Sequence, residues 1–271
     1  MSIGYAGIGG IIGVANNWGE GVEISNCINY GEIKGVCRLG GIVGTSAGGT
    51  SIRNCKNKGK INNINVSTSA GGIIALQRGG EIKLINSCNE GAVVGKSAAG
   101  GIIGTVSGQS WDSNLSTYIN NCYNIGNISS EKVAGGIVGT QDTVAAQNYL
   151  YINNSYNAGD VKGKEFGNTL GHIYNNARTD TKTEFTNVYY PSEPSIGTGS
   201  LTSGEATLKS GSEIKSQTFV DLLNANIGTN ADWKKWKLGT NGYPTFLEQQ
   251  KTDSNIKLLS VFKYKPKSIA Y

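Results

Sequence analysis

The chain has 271 residues, of which 40 are glycine and 4 are proline, and charged residues make up 16%. High glycine without proline or a Gly-x-y triplet excludes collagen, and regularly placed Ile and Val argue against a disordered segment. The net charge of +5 is modest, and the lysine-rich stretches are expected to be solvated, so we expect no nucleic-acid partner. No segment approaches the ~18 apolar residues of a membrane span.

A glycine-rich motif recurs through the first 190 residues at steps of 29 to 35 residues. It reads Gly-Gly-Ile-Val-Gly or a close variant and begins at Gly9, Gly40, Gly71, Gly100, Gly135 and, in degenerate form, Gly167. A fixed period of this length indicates a solenoid of stacked supersecondary units. Each unit holds three short strand patterns without closely spaced hairpin turns. We therefore predict an all-β fold, a right-handed parallel β-helix of about 30 residues per coil, over residues 1–190.

A second pattern, Ile-x-Asn-Cys-x-Asn-x-Gly-x-Ile, precedes or follows the glycine motif in each unit and is clearest at residues 119–128. Because side chains alternate along a strand, its isoleucines are predicted to point inward. The position after the cysteine holds Ile28, Lys56, Tyr123 and Tyr156. Lys56 belongs in solvent, so this position is predicted to face outward.

Four of the five cysteines are predicted to form a column of small buried thiols, namely Cys27, Cys55, Cys88 and Cys122. This alignment makes the third unit one residue short between its cysteine and the next glycine. Cys37 lies outside the column and is the candidate accessible thiol. An odd number at repeat spacing is not a disulfide framework, although stacked coils ~4.8 Å apart would permit oxidation. The single His172 completes no zinc set, so we expect no metal and no cofactor.

Asparagine recurs two residues after the column cysteine, at Asn29, Asn57, Asn124 and Asn157. One interpretation is that asparagine serves as a corner residue that tolerates the left-handed region. The other is an asparagine ladder, in which each amide bonds to its counterpart one coil away. Both interpretations are structural.

Three insertions interrupt the repeat, at residues 62–69, 106–116 and 140–149. Insertions in solenoids often carry binding, and they project from similar edges of the coil. Trp111, Tyr149 and Tyr151, in or next to these loops, are the candidate ligand-binding residues. Covering a coil edge is the alternative role for such aromatic side chains.

Residues 191–248 are predicted to cap the bottom of the β-helix with a helix and a short hairpin. Residues 192–208 are polar and resemble a crossing loop, and Ser210 and Glu213 have the spacing of a capping box. Apolar residues then recur at helical spacing up to Gly228, and Asn241-Gly242 is typical of a hairpin turn. The aromatic residues Trp233, Trp236, Tyr243 and Phe246 are predicted to form the core of the cap. Residues 249–271 are interpreted as a linker or the start of a following β module.

The two recurring patterns resemble the GLUG-motif repeats of bacterial surface proteins. These include non-catalytic regions of some immunoglobulin A1 metalloproteases and large wall-anchored proteins of Gram-positive bacteria. The Asn-Gly-Tyr-Pro segment at residues 241–244 is similar to the segment that closes such arrays. The resemblance implies a β-helix without a common activity, and the sequence lacks the His-Glu-x-x-His motif of zinc proteases. It implies an extracellular or cell-surface location, with signal, anchor and further domains outside these residues.

We therefore expect a non-catalytic module that acts as a rigid stalk or as an adhesin for host or matrix glycans or proteins. The alternative is a β-helical polysaccharide lyase or glycoside hydrolase. A hydrolase needs two facing carboxylates, and a lyase needs a basic residue, often near a calcium-binding acidic cluster. The acidic residues are scattered over different coils, at Glu20, Glu23, Glu32, Glu81, Glu90, Asp112 and Asp160. A remote alternative is ice binding through Thr45, Thr105 and Thr140.

Overall fold

The computed structural model describes residues 6–64, 68–108, 115–142, 147–174 and 180–248. They form a right-handed parallel β-helix with a small C-terminal α+β segment, as predicted. The first two coils contain β1 (Gly7–Gly9), β2 (Ile12–Ser25), β3 (Ile28–Asn29), β4 (Ile33–Gly35), β5 (Arg38–Gly40), β6 (Val43–Arg53), β7 (Lys56–Asn57) and β8 (Ile61–Asn63). The third and fourth contain β9 (Ser69–Gly71), β10 (Ile74–Gln77), β11 (Glu81–Ile85), β12 (Cys88–Asn89), β13 (Val93–Gly95), β14 (Ala98–Gly100), β15 (Ile103–Val106), β16 (Leu115–Asn120), β17 (Tyr123–Asn124) and β18 (Ile128–Ser130).

The later coils continue the same three-sided path. They contain β19 (Val133–Gly135), β20 (Val138–Gln141), β21 (Gln147–Asn157), β22 (Val161–Lys162), β23 (Glu165–Gly167), β24 (Leu170–Ile173), β25 (Asp180–Tyr190), β26 (Ile196–Thr198) and β27 (Ser203–Leu208). One sheet has six strands in the order β1-β5-β9-β14-β19-β23, and another has five in the order β22-β18-β13-β8-β4. The remaining strands of the coils form the 16-stranded third sheet.

The glycine motif lets two walls of the coil approach backbone to backbone. A Cβ atom placed on Gly135 would lie 1.7 Å from the carbonyl oxygen of Val138 and 2.8 Å from the amide nitrogen of Gly171. Gly100 and Gly71 are equally crowded by the corresponding carbonyl of their own coil and the corresponding glycine amide of the next coil. The recurring glycines therefore hold the six-stranded sheet against the strands that follow it, which no side chain would allow.

Two separate ladders resolve the two interpretations of the asparagines. The predicted ladder is confirmed: the amide nitrogen of each residue donates to the next residue's carbonyl oxygen at 2.7–2.8 Å, through Asn29, Asn57, Asn89, Asn124 and Asn157. The corner role belongs to a different row, three residues earlier, with φ between 43° and 57° at Asn26, Asn54, Asn86, Asn121, Asn154 and Asn187. Side chains of this second row also bond between coils, from Asn26 to Asn154.

The predicted cysteine column is wrong at Cys88. Cys88 pairs with Lys56 and Tyr123 in the neighbouring coils, so it occupies the position after the column. Ser87 takes the column position, and its hydroxyl accepts a hydrogen bond from the amide of Cys55 at 3.1 Å. The third coil is therefore not one residue short, because its cysteine is displaced by one position. All five cysteines are free thiols.

The predicted exposure of the position after the column is wrong for Tyr123 and Tyr156, which are 1% and 0% exposed. Both rings pack against Trp236 of the C-terminal segment, at centroid distances of 5.9 Å. The exposure of this row falls along the solenoid. Ile28 at its start is exposed, whereas Tyr123 and Tyr156 are covered by the C-terminal segment. Alternation still directs these side chains outward, but a second layer of protein lies over them.

The C-terminal segment contains α1 (Gly211–Ile214), α2 (Gln217–Ile227) and an antiparallel hairpin of β28 (Trp236–Leu238) and β29 (Pro244–Phe246). The predicted capping box is present at Ser210 and Glu213. A second cap at Ser216 divides the predicted helix into two. The segment packs along the side of the β-helix, where its apolar residues contact the row from Cys88 to Tyr189. It therefore covers a lateral face of several coils.

The parallel sheet continues beyond residue 190, because β26 and β27 pair with β24 and β25. Residues 192–208 are thus not only a crossing loop. A terminal strand needs little apolar alternation, since its outer edge and most of its side chains face solvent, as the burial of β27 shows. Residues 249–271, interpreted as a linker or following module, lie outside the described residues.

None of the helices in the described ranges has the length and apolar character that crossing a membrane requires.

Candidate functional site: a tyrosine patch on the outer sheet face

Three tyrosines cluster on the outer face of the 16-stranded sheet. In β16, Leu115, Thr117 and Ile119 are buried, whereas the alternate residues, including Tyr118, are partly exposed. In β21 the same alternation leaves Tyr149 and Tyr151 partly exposed. We call Tyr118, Tyr149 and Tyr151 the tyrosine patch. It exists because the strand period of two places all three side chains on one face.

The rings of the patch contact one another within and between coils. Tyr118 and Tyr151 are register partners in adjacent strands, and their rings stack with centroids 5.0 Å apart and planes 9° apart. Tyr149 meets Tyr151 edge to face at 6.3 Å. Ser116 pairs with Tyr149 in the register and is small. The patch is therefore a ring surface with a shallow gap beside it.

Paired charges frame the patch on its two sides. Lys83, one coil before Tyr118, forms a 2.6 Å ion pair with Glu81. Lys182 forms a 2.7 Å ion pair with Glu184, one coil after Tyr151, and its ammonium lies 5.5 Å from the Tyr151 ring centroid. The four charges of these two ion pairs balance, and the carboxyl of Asp180 beside Tyr149 is a fifth charged group. The surface therefore offers no excess of positive charge to an acidic ligand.

Hydrogen bonds shift the pKa values of Lys182, Glu184 and Tyr149 in and beside the patch. The bond from Lys182 lowers the pKa of the Glu184 carboxyl, and the same bond raises the pKa of Lys182. Tyr149 donates its hydroxyl to Asp180, which raises the pKa of Tyr149. Each of these shifts favours the state present at neutral pH: ionised Glu184 and Lys182, and protonated Tyr149. The ion pair of Lys182 and Glu184 is therefore present at neutral pH.

The structure places the predicted ligand-binding residues differently from the sequence prediction. Tyr149 and Tyr151 lie within a strand, not on a loop, and the aromatic contact between them is direct. Trp111 lies outside the described residues. Tyr118 was not predicted. It lies one residue before an inward isoleucine, as Tyr151 does, and this shared position marks it as the stacking partner of Tyr151.

Two further expectations concern metals and ice. No group of three or more His, Cys, Asp and Glu side chains within the described parts of the chain is arranged to hold a metal ion. The threonine column proposed for ice binding is interrupted, since Leu76 pairs with Thr45 and Thr105. Thr45 and Thr140 are also buried. This column therefore presents no flat exposed threonine face.

Comparison with known proteins agrees with the repeat pattern. Residues 35–62 match the family model of the GLUG motif. The predicted resemblance is thereby confirmed for one repeat. The fold is similar to the crystal structure of a protein provisionally assigned as an immunoglobulin A1 protease from Bacteroides ovatus, with 20% identity, 86% of this chain and 74% of that chain covered, and a TM-score of 0.49. No curated protein matches the chain.

Proposed function

We propose that the chain is a non-catalytic β-helical module of an exported bacterial surface protein and that its tyrosine patch binds an uncharged carbohydrate. The observation that carries the proposal is the parallel stack of Tyr118 and Tyr151, both partly exposed, on the outer sheet face. Sugar rings present flat C–H faces to aromatic rings, and tyrosine hydroxyls add polar contacts at the ring edge. A glycan of a host or matrix surface is the expected partner.

The scaffold supports such a role because it holds the patch rigidly. Both tyrosines belong to strands whose registers are fixed by buried isoleucines and by the asparagine ladders on the neighbouring corner. Sites on strands are positioned more accurately than sites on loops. Stacked coils advance by about 4.8 Å each, so the same architecture also serves as a stalk.

Binding of neutral oligosaccharides to the purified chain tests the proposal. A glycan array identifies the ligand, and titration calorimetry then compares the wild type with Tyr118→Ala and Tyr151→Ala. Each substitution removes one ring of the stack, and we expect at least about tenfold weaker binding, which corresponds to ~1.4 kcal/mol. Tyr30→Ala is the matched control, because Tyr30 is 70% exposed and lies in a different strand connection.

Three results would contradict the proposal. Equal affinity of the patch variants and the wild type would place binding elsewhere. Absence of any glycan that binds would remove the adhesin role. Release of unsaturated sugars from uronic-acid polymers would indicate a polysaccharide lyase and reassign the chain as an enzyme. Antibody labelling of intact cells tests the surface location separately.

A further inference from the structure

A second concave surface lies where the six-stranded sheet approaches the strands β10, β15 and β20. We call it the hydroxyl groove; its volume is about 490 Å³, and its lining includes Arg38, Arg78, Thr105, Lys132, Thr140 and Asp142. Ligand pockets in proteins span roughly 300–1,000 Å³. The groove shares no lining residue with the tyrosine patch.

Hydroxyl groups join the two walls of this groove. Ser69 lies in β9, on one wall, and its Oγ is 2.8 Å from Oγ1 of Thr105 in β15, on the other. Thr140 of the next coil donates to Thr105 at 3.0 Å. Two successive coils thus supply hydroxyls to the groove at Thr105 and Thr140. Thr105 is partly exposed, so its hydroxyl can exchange its present bond for one to a polyhydroxylated ligand.

Cationic side chains outnumber carboxyls among the lining residues that the structure describes. Arg38, Arg78 and Lys132 come from three different coils, and Asp142 supplies one carboxyl. The pKa of Arg38 is lowered, first by burial and then by the nearby charge of Arg78. Asp142 accepts a 3.3 Å hydrogen bond from the hydroxyl of Ser107. A carboxylate that enters the groove can form charge-assisted hydrogen bonds with its cationic side chains.

We propose that the hydroxyl groove binds an acidic oligosaccharide through its carboxylate groups. Guanidinium groups match carboxylates bidentately, and the hydroxyls match sugar hydroxyls. Leu76, Ala98 and Val133 also line the groove and provide small apolar surfaces for the C–H faces of sugar rings. The proposal is independent of the tyrosine patch, because the ligand charge, the residues and the face of the coil all differ.

Calorimetric titration with a uronic-acid trisaccharide tests the groove. We expect binding that weakens as salt rises, since screening reduces the attraction between exposed charges. Lys132→Glu is expected to weaken binding about tenfold, because it replaces an attractive charge by a repulsive one. Asp142→Asn is expected to tighten binding, because it removes a carboxyl that repels the ligand. Lys60→Glu is the matched control, since Lys60 is an exposed lysine outside the groove.

Several outcomes would overturn the proposal. The first three are no binding of the uronic-acid trisaccharide by the wild type, equal binding of a neutral glucose trisaccharide, and tighter binding of a triglutamate peptide. The fourth is an unchanged affinity of the Lys132→Glu variant, provided that this variant retains the wild-type circular dichroism and melting temperature. Loss of uronate binding in Tyr151→Ala would move the site to the tyrosine patch. Failure of neutral glycans to bind, with uronate binding intact, would contradict the patch and leave the groove standing.

Discussion

The indole Nε1 of Trp236 donates a 2.8 Å hydrogen bond to Oδ1 of Asn121, a corner residue 115 positions earlier in the chain. The same corner row donates amides to backbone carbonyls of the C-terminal segment, at Asp232, Lys234 and Leu223. A corner asparagine therefore has two roles: its backbone turns the coil, and its side chain holds the covering segment in register with the coils.

Trp236→Ala is expected to destabilise the protein by about 3–5 kcal/mol, as is typical for loss of a large buried aromatic side chain. The indole is 3% exposed and contacts the rings of Tyr123, Tyr156 and Phe246. Urea denaturation measures the change in unfolding free energy. Trp233→Ala is the control and should cost much less, because Trp233 is only partly buried. Equal losses in the two variants would show that the segment does not stabilise the coils through Trp236.

Gly135→Ala is expected to prevent normal folding of the chain or to lower its melting temperature strongly. A methyl group there would overlap the carbonyl of Val138 at 1.7 Å, and neither backbone can move without separating the two walls. Gly211→Ala supplies the control, because a Cβ at Gly211 meets nothing within 4 Å and alanine favours a helix. Yield of folded protein and circular dichroism compare the two. A well-folded Gly135→Ala variant would contradict the close approach of the walls.

The buried thiols predict a loss of stability at alkaline pH. Burial raises the pKa of Cys55, Cys88 and Cys122 from 9.0 to about 12. The stabilisation is complete below the unfolded-state pKa and is lost as pH rises from about 9 towards 12, because only the unfolded chain ionises there. Melting temperatures measured between pH 7 and 11 should fall above pH 9, and buried tyrosines add to the same trend.

Cys122→Ser tests how much of that trend the thiols cause. Serine already occupies this column at Ser87 and Ser155, where each hydroxyl donates to a carbonyl two residues earlier, as Cys122 does. We expect near wild-type stability at pH 7 and a smaller loss above pH 9, because serine does not titrate in this range. An alkaline loss equal to that of the wild type would exclude ionisation of this thiol as a cause.

The coil was predictable from the sequence because its determinants are local and repeated. The glycine motif, the inward isoleucines and the asparagine row each follow from spacing, which the register confirms at Ile119 and Ile152 and at Asn124 and Asn157. The displacement of Cys88 was missed because the repeats were aligned on their cysteines and not on their corner asparagines. Asn86 precedes Ser87 as Asn54 precedes Cys55, so the corner row was the better guide.

The candidate sites were less predictable because they depend on contacts between distant segments. Nothing near Tyr123 in sequence indicates that residues 236–246 cover it. The tyrosine patch was missed because aromatic residues were sought in the insertions, whereas Tyr118 and Tyr151 are register partners that each precede an inward isoleucine of the repeat. In the hydroxyl groove, side chains such as Ser69 and Thr105 bond to each other from two different strands. The repeat period of the sequence does not reveal this contact.

Asn124→Asp is expected to destabilise the coil at neutral pH by more than about 3 kcal/mol. Asn124 is 0% exposed and donates its amide to Asn157 at 2.7 Å and to the carbonyl of Gly126 at 2.9 Å. A carboxylate loses both donors and places negative charge against two acceptor oxygens. Urea denaturation at pH 7 measures the loss, and Asn127→Asp is the control because Asn127 is exposed.

The pH dependence of the same variant separates charge from shape. Asn89 and the amide of Gly126 still donate to one oxygen of the new carboxyl at position 124. Burial and the two acceptor oxygens that face its other oxygen should nevertheless raise its pKa, so its penalty is smallest in acid and grows as pH rises through that pKa. The stability difference between Asn124→Asp and the wild type should therefore shrink between pH 7 and about pH 4, since a protonated carboxyl regains one donor. A difference that stays constant over this range would contradict the contribution of charge to the loss.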